Sequence, residues 1–140
     1  MNEFDTKDTP EDRKDPNPTT PHEAPSSWSE LGLGPVSLEA IERLGYHSPT
    51  EVQQKAIPLV ADGGDLIVQA KTGSGKTLAF GLPILERLDR SRPEVQALVL
   101  APTRELAMQV AAEITRAGQL GNREVLPIFG GASMNMQIQP

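Results

Sequence analysis

The feature that most constrains this chain is a short apolar run followed by a glycine-rich loop, "DLIVQAKTGSGKT" at residues 65–77. The apolar part has the length and composition of a short, fully buried strand. The stretch after the loop, "KTLAFGLPILERLDR" (76–90), is typical of a helix. A strand, a glycine-rich loop and a helix in this order can hold an anion at the start of the helix. The sequence therefore predicts an α/β fold with a phosphate site.

The loop residues at 72–77, "TGSGKT", have the chemistry that phosphate binding needs. Gly73 and Gly75 allow backbone conformations that other residues avoid, so successive amide N–H groups can point at phosphate oxygens. Lys76 can reach the terminal phosphates, and the Thr77 hydroxyl can ligate Mg²⁺. The alternative is a glycine-rich turn that binds nothing, but a turn would not need these residue types in this order.

The loop can be compared with two known sequence patterns, the dinucleotide fingerprint and the general phosphate-loop pattern. A dinucleotide fingerprint fails, because its third glycine would fall at Leu78. Ala70 departs from the general phosphate-loop pattern, which has glycine at this position. A small side chain at the end of the strand can serve in its place.

The rest of the chain continues an alternation of strands and helices. Upstream, "SLEAIERLG" (37–45) predicts a helix with Ser37 as N-cap and Gly45 as its stop. "TEVQQKAI" predicts a second helix, which starts at Thr50 and is disturbed near Pro58. Downstream come a strand, a helix and a third strand, which are "VQALVLA" (95–101), "TRELAMQVAAEITRAG" (103–118) and "EVLPIF" (124–129). This order favours a parallel sheet with right-handed crossovers.

Composition limits the classes of protein that fit. Residues 1–27 are acidic and rich in proline, which predicts a disordered leader, with an interaction tail as the alternative. The net charge is −6, so any nucleic-acid binding must come from local contacts. The chain has no cysteine, which excludes disulfides, cysteine zinc sites and thiol catalysis. An acidic, polar start and the lack of a long apolar run predict a cytoplasmic protein.

Gln53 and two aromatic residues each have two interpretations from the residues alone. The Gln53 carboxamide can donate and accept, which suits the adenine edge. Gln53 also lies three residues after Thr50, at the spacing of a capping box, and local sequence favours that role. Trp28 and Tyr46 could stack on a base or pack in the core, and taken alone core packing is favoured.

Together these segments resemble the DEAD-box RNA helicase family. "GYHSPTEVQ" (45–53) is similar to its Q motif, "AKTGSGKT" (70–77) to motif I with the family's alanine, and "PTREL" (102–106) to motif Ia. The glycine pair at 130–131 is similar to the pair after the family's third strand. Trp28 lies where the family usually has an isolated phenylalanine. The resemblance implies that residues 28–140 are part of a RecA-like, phosphate-loop ATP-binding domain, incomplete at its C-terminus.

The resemblance also implies roles for single residues and an ATP-dependent activity that unwinds RNA. Lys76 and Thr77 would be catalytic, and Thr77 would bind Mg²⁺. We call residues 45–53 the adenine segment. ATP would be bound by residues of this segment, by Trp28 and by the loop, namely Trp28, Tyr46, Thr50, Gln53, Thr72, Gly73, Ser74, Gly75, Lys76 and Thr77. The RNA sugar-phosphate backbone would be contacted, without sequence preference, by Pro102, Thr103, Arg104, Gly130 and Gly131. With the resemblance, adenine recognition becomes the favoured role of Gln53, and capping is compatible with it.

The family's Asp-Glu-Ala-Asp stretch does not occur in these 140 residues. Hydrolysis depends on positioning by all of the family's motifs, so we expect negligible ATP hydrolysis and no unwinding from this chain alone. In the resembled fold the strand before the loop pairs with later strands. We therefore expect exposed strand edges and apolar faces, and a tendency to aggregate. Two alternatives remain open, a non-catalytic adenine-nucleotide-binding fragment and another phosphate-loop NTPase such as a small-molecule kinase.

Overall fold

The computed structural model describes residues 25–89, 91–121, 125–131 and 137. The predicted leader, residues 1–27, lies outside the described residues up to position 24 and stays a prediction. The described part contains four α-helices, α1 (Pro35–Arg43), α2 (Glu51–Asp62), α3 (Lys76–Arg87) and α4 (Arg104–Gly118). Short 3-10 turns lie at Trp28–Leu31 and Gln119–Gly121. No helix in these residues is both long and apolar enough to cross a bilayer.

Helix α1 begins earlier than predicted and ends where predicted. Its N-cap is Gly34, not Ser37, because Pro35 takes the first helical position, which suits its fixed φ and missing N–H. Ser37 is instead buried within the helix. At the other end Gly45 has φ of 76° and donates to Glu42 O at 2.9 Å. Tyr46 N–H donates to Ile41 O at 3.1 Å, which completes a Schellman motif.

Helix α2 starts directly after Thr50, as predicted, and Pro58 does not end it. The helix continues through Pro58 to Asp62 and ends at Gly63, which has φ of 92°. Proline inside a helix removes one backbone hydrogen bond. Here Ala56 and Ile57 are buried on the inner face, and this packing holds the helix together across the proline.

Helix α3 begins at Lys76, directly behind the glycine-rich loop, and ends at Arg87, three residues before the predicted end. Helix α4 begins after Thr103, whose hydroxyl accepts from Leu106 N–H at 3.2 Å. Helix α3 packs between α2 and α4. Gly81 is the close point of α3 with α4, because a β-carbon there would lie 3.1 Å from Ile114 Cγ1.

The inner faces of the four helices and the first 3-10 turn form one apolar cluster, which we call the helical core. Ile57 and Leu82 are fully buried in it, and Ile41 and Leu78 are each 2% exposed. The cluster consists of Trp28, Leu31, Leu33, Ile41, Ile57, Leu78, Leu82, Leu85, Ile114 and Ala117. Burial of this apolar surface, rather than helix propensity, stabilises the described helices against each other.

The three segments predicted as strands, the first two of them as buried strands, are residues 65–70, 95–101 and the described part of 124–129, and we call them the open segments. None of their described residues is assigned to a strand, so the predicted parallel sheet is not seen in the part of the chain that the structure describes. The predicted burial is wrong: Ile67 is 98% exposed and Leu98 is 80% exposed. Strands of a parallel sheet are buried only when neighbouring strands and helices cover both faces. The exposed apolar faces expected from the sequence are present.

Candidate functional site

The glycine-rich loop places a run of backbone amides directly before helix α3. Gly73 has φ of 77° and Gly75 has φ of 86°, which are left-handed conformations that glycine adopts easily. Gly75 is the N-cap of α3, so the positive end of the helix dipole faces the loop. The positive φ values and the helix start agree with the predicted anion site, and phosphate binding by the loop stays a prediction.

The Lys76 ammonium group folds back onto the start of the loop. Its Nζ donates to Ala70 O at 2.5 Å and to Lys71 O at 2.7 Å. The side chain predicted to reach terminal phosphates is thus held by two carbonyl oxygens on the loop. Sequence reasoning missed both acceptors, because a main-chain carbonyl leaves no signal in the residue type.

Ser74 presents a buried hydroxyl to the interior of the loop. Its Oγ is buried and has no hydrogen-bond partner among the described residues. A buried hydroxyl without a partner costs free energy, on the order of 1–3 kcal/mol. At Gly73, an added β-carbon would have no heavy atom within 4 Å, so the space beside the loop is open. An unpaired hydroxyl and open space beside glycine amides fit an oxygen-rich ligand.

Gln53 joins the start of α2 to this loop. Its Oε1 accepts from Thr50 N–H at 2.8 Å, which is the capping-box bond predicted from the spacing. Its Nε2 donates to Gly75 O at 3.1 Å, and the residue is only 3% exposed. The predicted capping role is therefore confirmed, and adenine recognition stays a prediction.

A second bond ties the same helix start to the loop. The Thr50 hydroxyl donates to Ser74 O at 2.7 Å. Two consecutive loop carbonyls, those of Ser74 and Gly75, are thus held by two residues predicted to belong to the adenine segment. The resemblance gave these residues separate roles, and the structure brings them into direct contact.

Trp28 and Tyr46 meet at the other end of the adenine segment. Trp28 is 7% exposed and belongs to the helical core, which confirms core packing for this residue. Its indole Nε1 donates to Tyr46 O at 2.9 Å. Tyr46 is 39% exposed. A cavity of about 290 Å³ opens beside them, lined by Trp28, Leu38, Ile41, Glu42, Tyr46 and His47.

The residues predicted to contact RNA form a second, exposed group. Pro102, Thr103 and Arg104 are exposed at the start of α4, and Gly130 and Gly131 are exposed after the third open segment. The Arg104 guanidinium carbon lies 4.3 Å from the centre of the ring of Phe129, the residue directly before the glycine pair. This cation–π contact brings the two parts of the predicted RNA set together, and sequence reasoning did not single out Phe129.

A carboxylate, Glu51, lies between Thr50 and Gln53 at the start of α2. Lys55 donates to Glu51 Oε1 at 2.6 Å, and this hydrogen bond and charge hold the pKa of Glu51 below its ordinary value. In the residues described, no group of three or more histidine or acidic side chains is placed to hold a metal ion. The hydroxyl of Thr77, which is half-buried in the first turn of α3, is the metal ligand that the sequence predicts.

The helicase model of the DEAD/DEAH box family matches residues 50–140 of this chain. An ATP-dependent RNA helicase CshA of Limosilactobacillus reuteri is 47% identical over 112 residues, which are 80% of this chain and 22% of that protein. The chain thus spans less than a quarter of the length of this relative.

Solved structures agree with this match. A DEAD box protein from the hyperthermophile Methanococcus jannaschii aligns with a TM-score of 0.72 at 40% identity, over 81% of this chain and 31% of that one. The RNA helicase Prp28 from Chaetomium thermophilum, bound to ADP, aligns with a TM-score of 0.72 at 40% identity, over 79% of this chain and 28% of that one. With a family match over most of its length and these relatives, this chain belongs to the DEAD/DEAH box helicase family.

Proposed function

We propose that this chain supplies the adenine-nucleotide site and part of the RNA surface of an ATP-dependent RNA helicase. The observation that carries the proposal is the direct contact between Gln53 and Gly75, which joins the adenine segment to the phosphate loop. In this proposal residues 28–140 are part of a RecA-like domain, in which the open segments pair into the parallel sheet. Hydrolysis and duplex unwinding belong to the full-length protein, which acts in the cytoplasm.

The phosphates of ATP would lie against residues 72–77. Lys76 would exchange the carbonyls of Ala70 and Lys71 for phosphate oxygens, which are stronger acceptors for an ammonium group. The unpaired Ser74 hydroxyl and the amides after Gly73 would donate to the same oxygens. Thr72 is exposed at the entry to the loop, where it can contact the nucleotide from outside.

The Thr77 hydroxyl would hold Mg²⁺, which is consistent with its place one residue after the lysine in the first turn of α3. When bound, Mg²⁺ neutralises charge that develops on the terminal phosphates during transfer. Lys76 orients the same phosphates from the helix start. Both residues would therefore be catalytic in the full-length protein.

The base of ATP would be recognised by the unused half of the Gln53 amide. A carboxamide has two donor hydrogens and two acceptor lone pairs, and the structure uses one of each. One donor and one acceptor remain, which is the pattern that the adenine edge complements. Since Gln53 is 3% exposed, the groups that cover its amide must move aside when the base enters. Thr50, Tyr46 and Trp28 complete this end of the site.

RNA would bind along the exposed group at the start of α4. Glycine amides at 130–131 and the N-terminus of α4 can both hold phosphate without reading sequence. Arg104 adds a positive charge at this place, and its contact with Phe129 holds it against the residue that precedes the glycine pair. With a net charge of −6 on the chain, these local groups would have to supply the attraction for RNA.

Nucleotide preference tests the proposal. ADP should bind the chain more tightly than GDP, because guanine presents the wrong donor and acceptor pattern to Gln53. Replacing Gln53 with alanine should remove that preference, with a loss of ADP affinity of about threefold to tenfold for one hydrogen bond. Equal affinity of the unaltered chain for ADP and GDP would contradict an adenine site and favour another class of phosphate-loop NTPase.

A matched variant separates recognition from capping. Gln53→Glu keeps an acceptor for Thr50 N–H, since glutamate also serves in a capping box, but it removes the amide donor. We expect Gln53→Glu to lose ADP preference as Gln53→Ala does, with a smaller fall in melting temperature. If Gln53→Glu bound ADP as tightly as the unaltered chain, Gln53 would only cap the helix.

A further inference from the structure

The backbone of Tyr46 is held from both sides. Its N–H donates to Ile41 O at 3.1 Å as part of the Schellman motif that ends α1. Its carbonyl accepts from the Trp28 indole at 2.9 Å, from a residue 18 positions earlier in the chain. The peptide groups on both sides of Tyr46 are therefore fixed, and so is the direction in which its half-exposed side chain leaves the backbone.

The segment that follows Tyr46 is anchored at its far end too. Pro49 is buried, and its carbonyl accepts from Gln54 Nε2 at 3.1 Å. Thr50 is held by Gln53 and by Ser74 of the loop. Residues 46–50 thus run between two fixed points, with the Trp28 indole as the side-chain anchor at the first.

We propose that Trp28 positions the adenine-binding segment 46–50 through its indole N–H, without touching the base. This inference depends on the proposed adenine site. Trp28 is 7% exposed and packs into the helical core, so little of its ring is accessible to a base. The resembled family usually has phenylalanine here, and a phenyl ring has no N–H with which to hold Tyr46 O. The anchor is thus a feature of this chain's own residue.

Trp28→Phe removes the donor and keeps an aromatic ring in the core. We expect ADP affinity of the 140-residue chain to fall by about threefold to tenfold, the effect of one hydrogen bond. Affinity for inorganic pyrophosphate should stay unchanged, because pyrophosphate contacts the loop and Thr50, the end of the segment that meets the loop, keeps its own bonds to Gln53 and Ser74. An equal loss for ADP and pyrophosphate, or no loss for ADP, would overturn the inference.

A control removes core volume at α4, outside this segment. Ile114→Val deletes one methyl group between α4 and Gly81, at a cost of roughly 0.5–1.5 kcal/mol. Ile114→Val should leave both affinities unchanged at a temperature where every variant is folded. If it weakened ADP binding selectively as Trp28→Phe does, the effect would be loss of stability and the positioning role would be wrong.

Fluorescence distinguishes anchoring from stacking, because Trp28 is the only tryptophan in the sequence. An indole that stacks on adenine is quenched by it, whereas a buried anchor keeps its emission. We expect saturating ADP to leave the emission intensity of the unaltered chain nearly unchanged. Strong quenching would show that Trp28 meets the base and would contradict the inference. Failure of the unaltered chain to prefer ADP over GDP would instead contradict the proposed function, and this inference with it.

Discussion

The helical core and the open segments contain similar residues with opposite surroundings. Ile57 is fully buried on α2, whereas Ile67, only ten positions later, is 98% exposed. Leu82 is fully buried on α3, whereas Leu98 is 80% exposed. Residue type therefore does not decide burial here. What differs is whether the described part of the chain offers a second apolar surface to pack against.

Helices and strands differ in where that second surface comes from. An amphipathic helix satisfies its own backbone and needs only one apolar neighbour, which α2, α3 and α4 give each other. A central strand needs strands on both edges and cover on both faces. The third open segment is intermediate in burial. Val125 packs on the helical core, whereas Leu126 and Ile128 are more than half exposed.

The largest expected difference between the two regions is in the free energy of unfolding. Ile57→Ala should destabilise the chain by about 2–5 kcal/mol, because it leaves a cavity in the helical core. Ile67→Ala should change stability by about 0.5 kcal/mol or less, because an exposed side chain loses no packing. Chemical denaturation followed by circular dichroism measures both. A loss at Ile67 as large as that at Ile57 would mean that the open segments are packed in solution.

The same contrast explains how much of the fold the sequence could predict. The positions of α2, α3 and α4 follow from local signals, such as Thr50 and Thr103 as N-caps, and these signals need no distant partner. The predicted start of α1 at Ser37 was wrong, because Pro35 takes the first helical position and the helix begins there. The predicted burial of residues 65–70 and 95–101 was wrong, because burial of a strand depends on neighbouring strands and a local sequence pattern does not show whether they are present.

The candidate site was predictable to a similar depth. The glycine conformations of the loop and the capping role of Gln53 could be predicted from local residue patterns, since glycine conformation and helix capping are local properties, whereas adenine recognition became the favoured role of Gln53 only with the family resemblance. The contacts of Gln53 with Gly75 and of Arg104 with Phe129 join residues more than 20 positions apart. Such contacts depend on how helices pack, so sequence spacing could not reveal them.

The second-largest expected effect is on the melting temperature, at Gly73 and Gly75. These two glycines lie between the first open segment and helix α3. A β-carbon at Gly75 would collide with Gln53 Nε2 and lie 3.2 Å from Thr50 Oγ1, whereas one at Gly73 meets no atom within 4 Å. Both substitutions put a side chain at positive φ, at a cost of about 1–2 kcal/mol. Gly75→Ala should therefore lower the melting temperature more than Gly73→Ala and also remove ADP preference over GDP. Equal effects would mean that the Gln53 contact contributes nothing.

Self-association gives a third, smaller difference. The exposed apolar side chains of the open segments should drive the chain to associate at high concentration. Leu98→Lys should reduce association severalfold in sedimentation velocity, by adding charge at an exposed strand-forming segment. Leu59→Lys is the matched control, since Leu59 is 52% exposed but lies on the outer face of α2. A cooperative melt from a monomeric unaltered chain would contradict this prediction.

The smallest expected difference is between the carboxylates of Glu51 and Glu94. The pKa of each lies below the ordinary value of 4.5. Lys55 lowers the pKa of Glu51 across one turn of α2, so this interaction is lost when the helix unfolds. Glu94 is held by its own backbone N–H and by Arg92, two positions away in a stretch outside the helices. A carboxyl with a lower pKa in the folded state adds stability above its unfolded pKa, and that stability is lost as pH falls through the folded value.

Glu51→Gln should therefore reduce stability slightly at pH 7, and the difference from the unaltered chain should shrink at acidic pH, as pH falls through the lowered pKa of Glu51. Glu94→Gln should change stability at neither pH, because its contacts do not depend on the helical core. Denaturation at several pH values measures both variants. A pH-dependent loss for Glu94→Gln equal to that for Glu51→Gln would show that the segment before the second open segment unfolds together with the helical core, and would join the two regions into one cooperative unit.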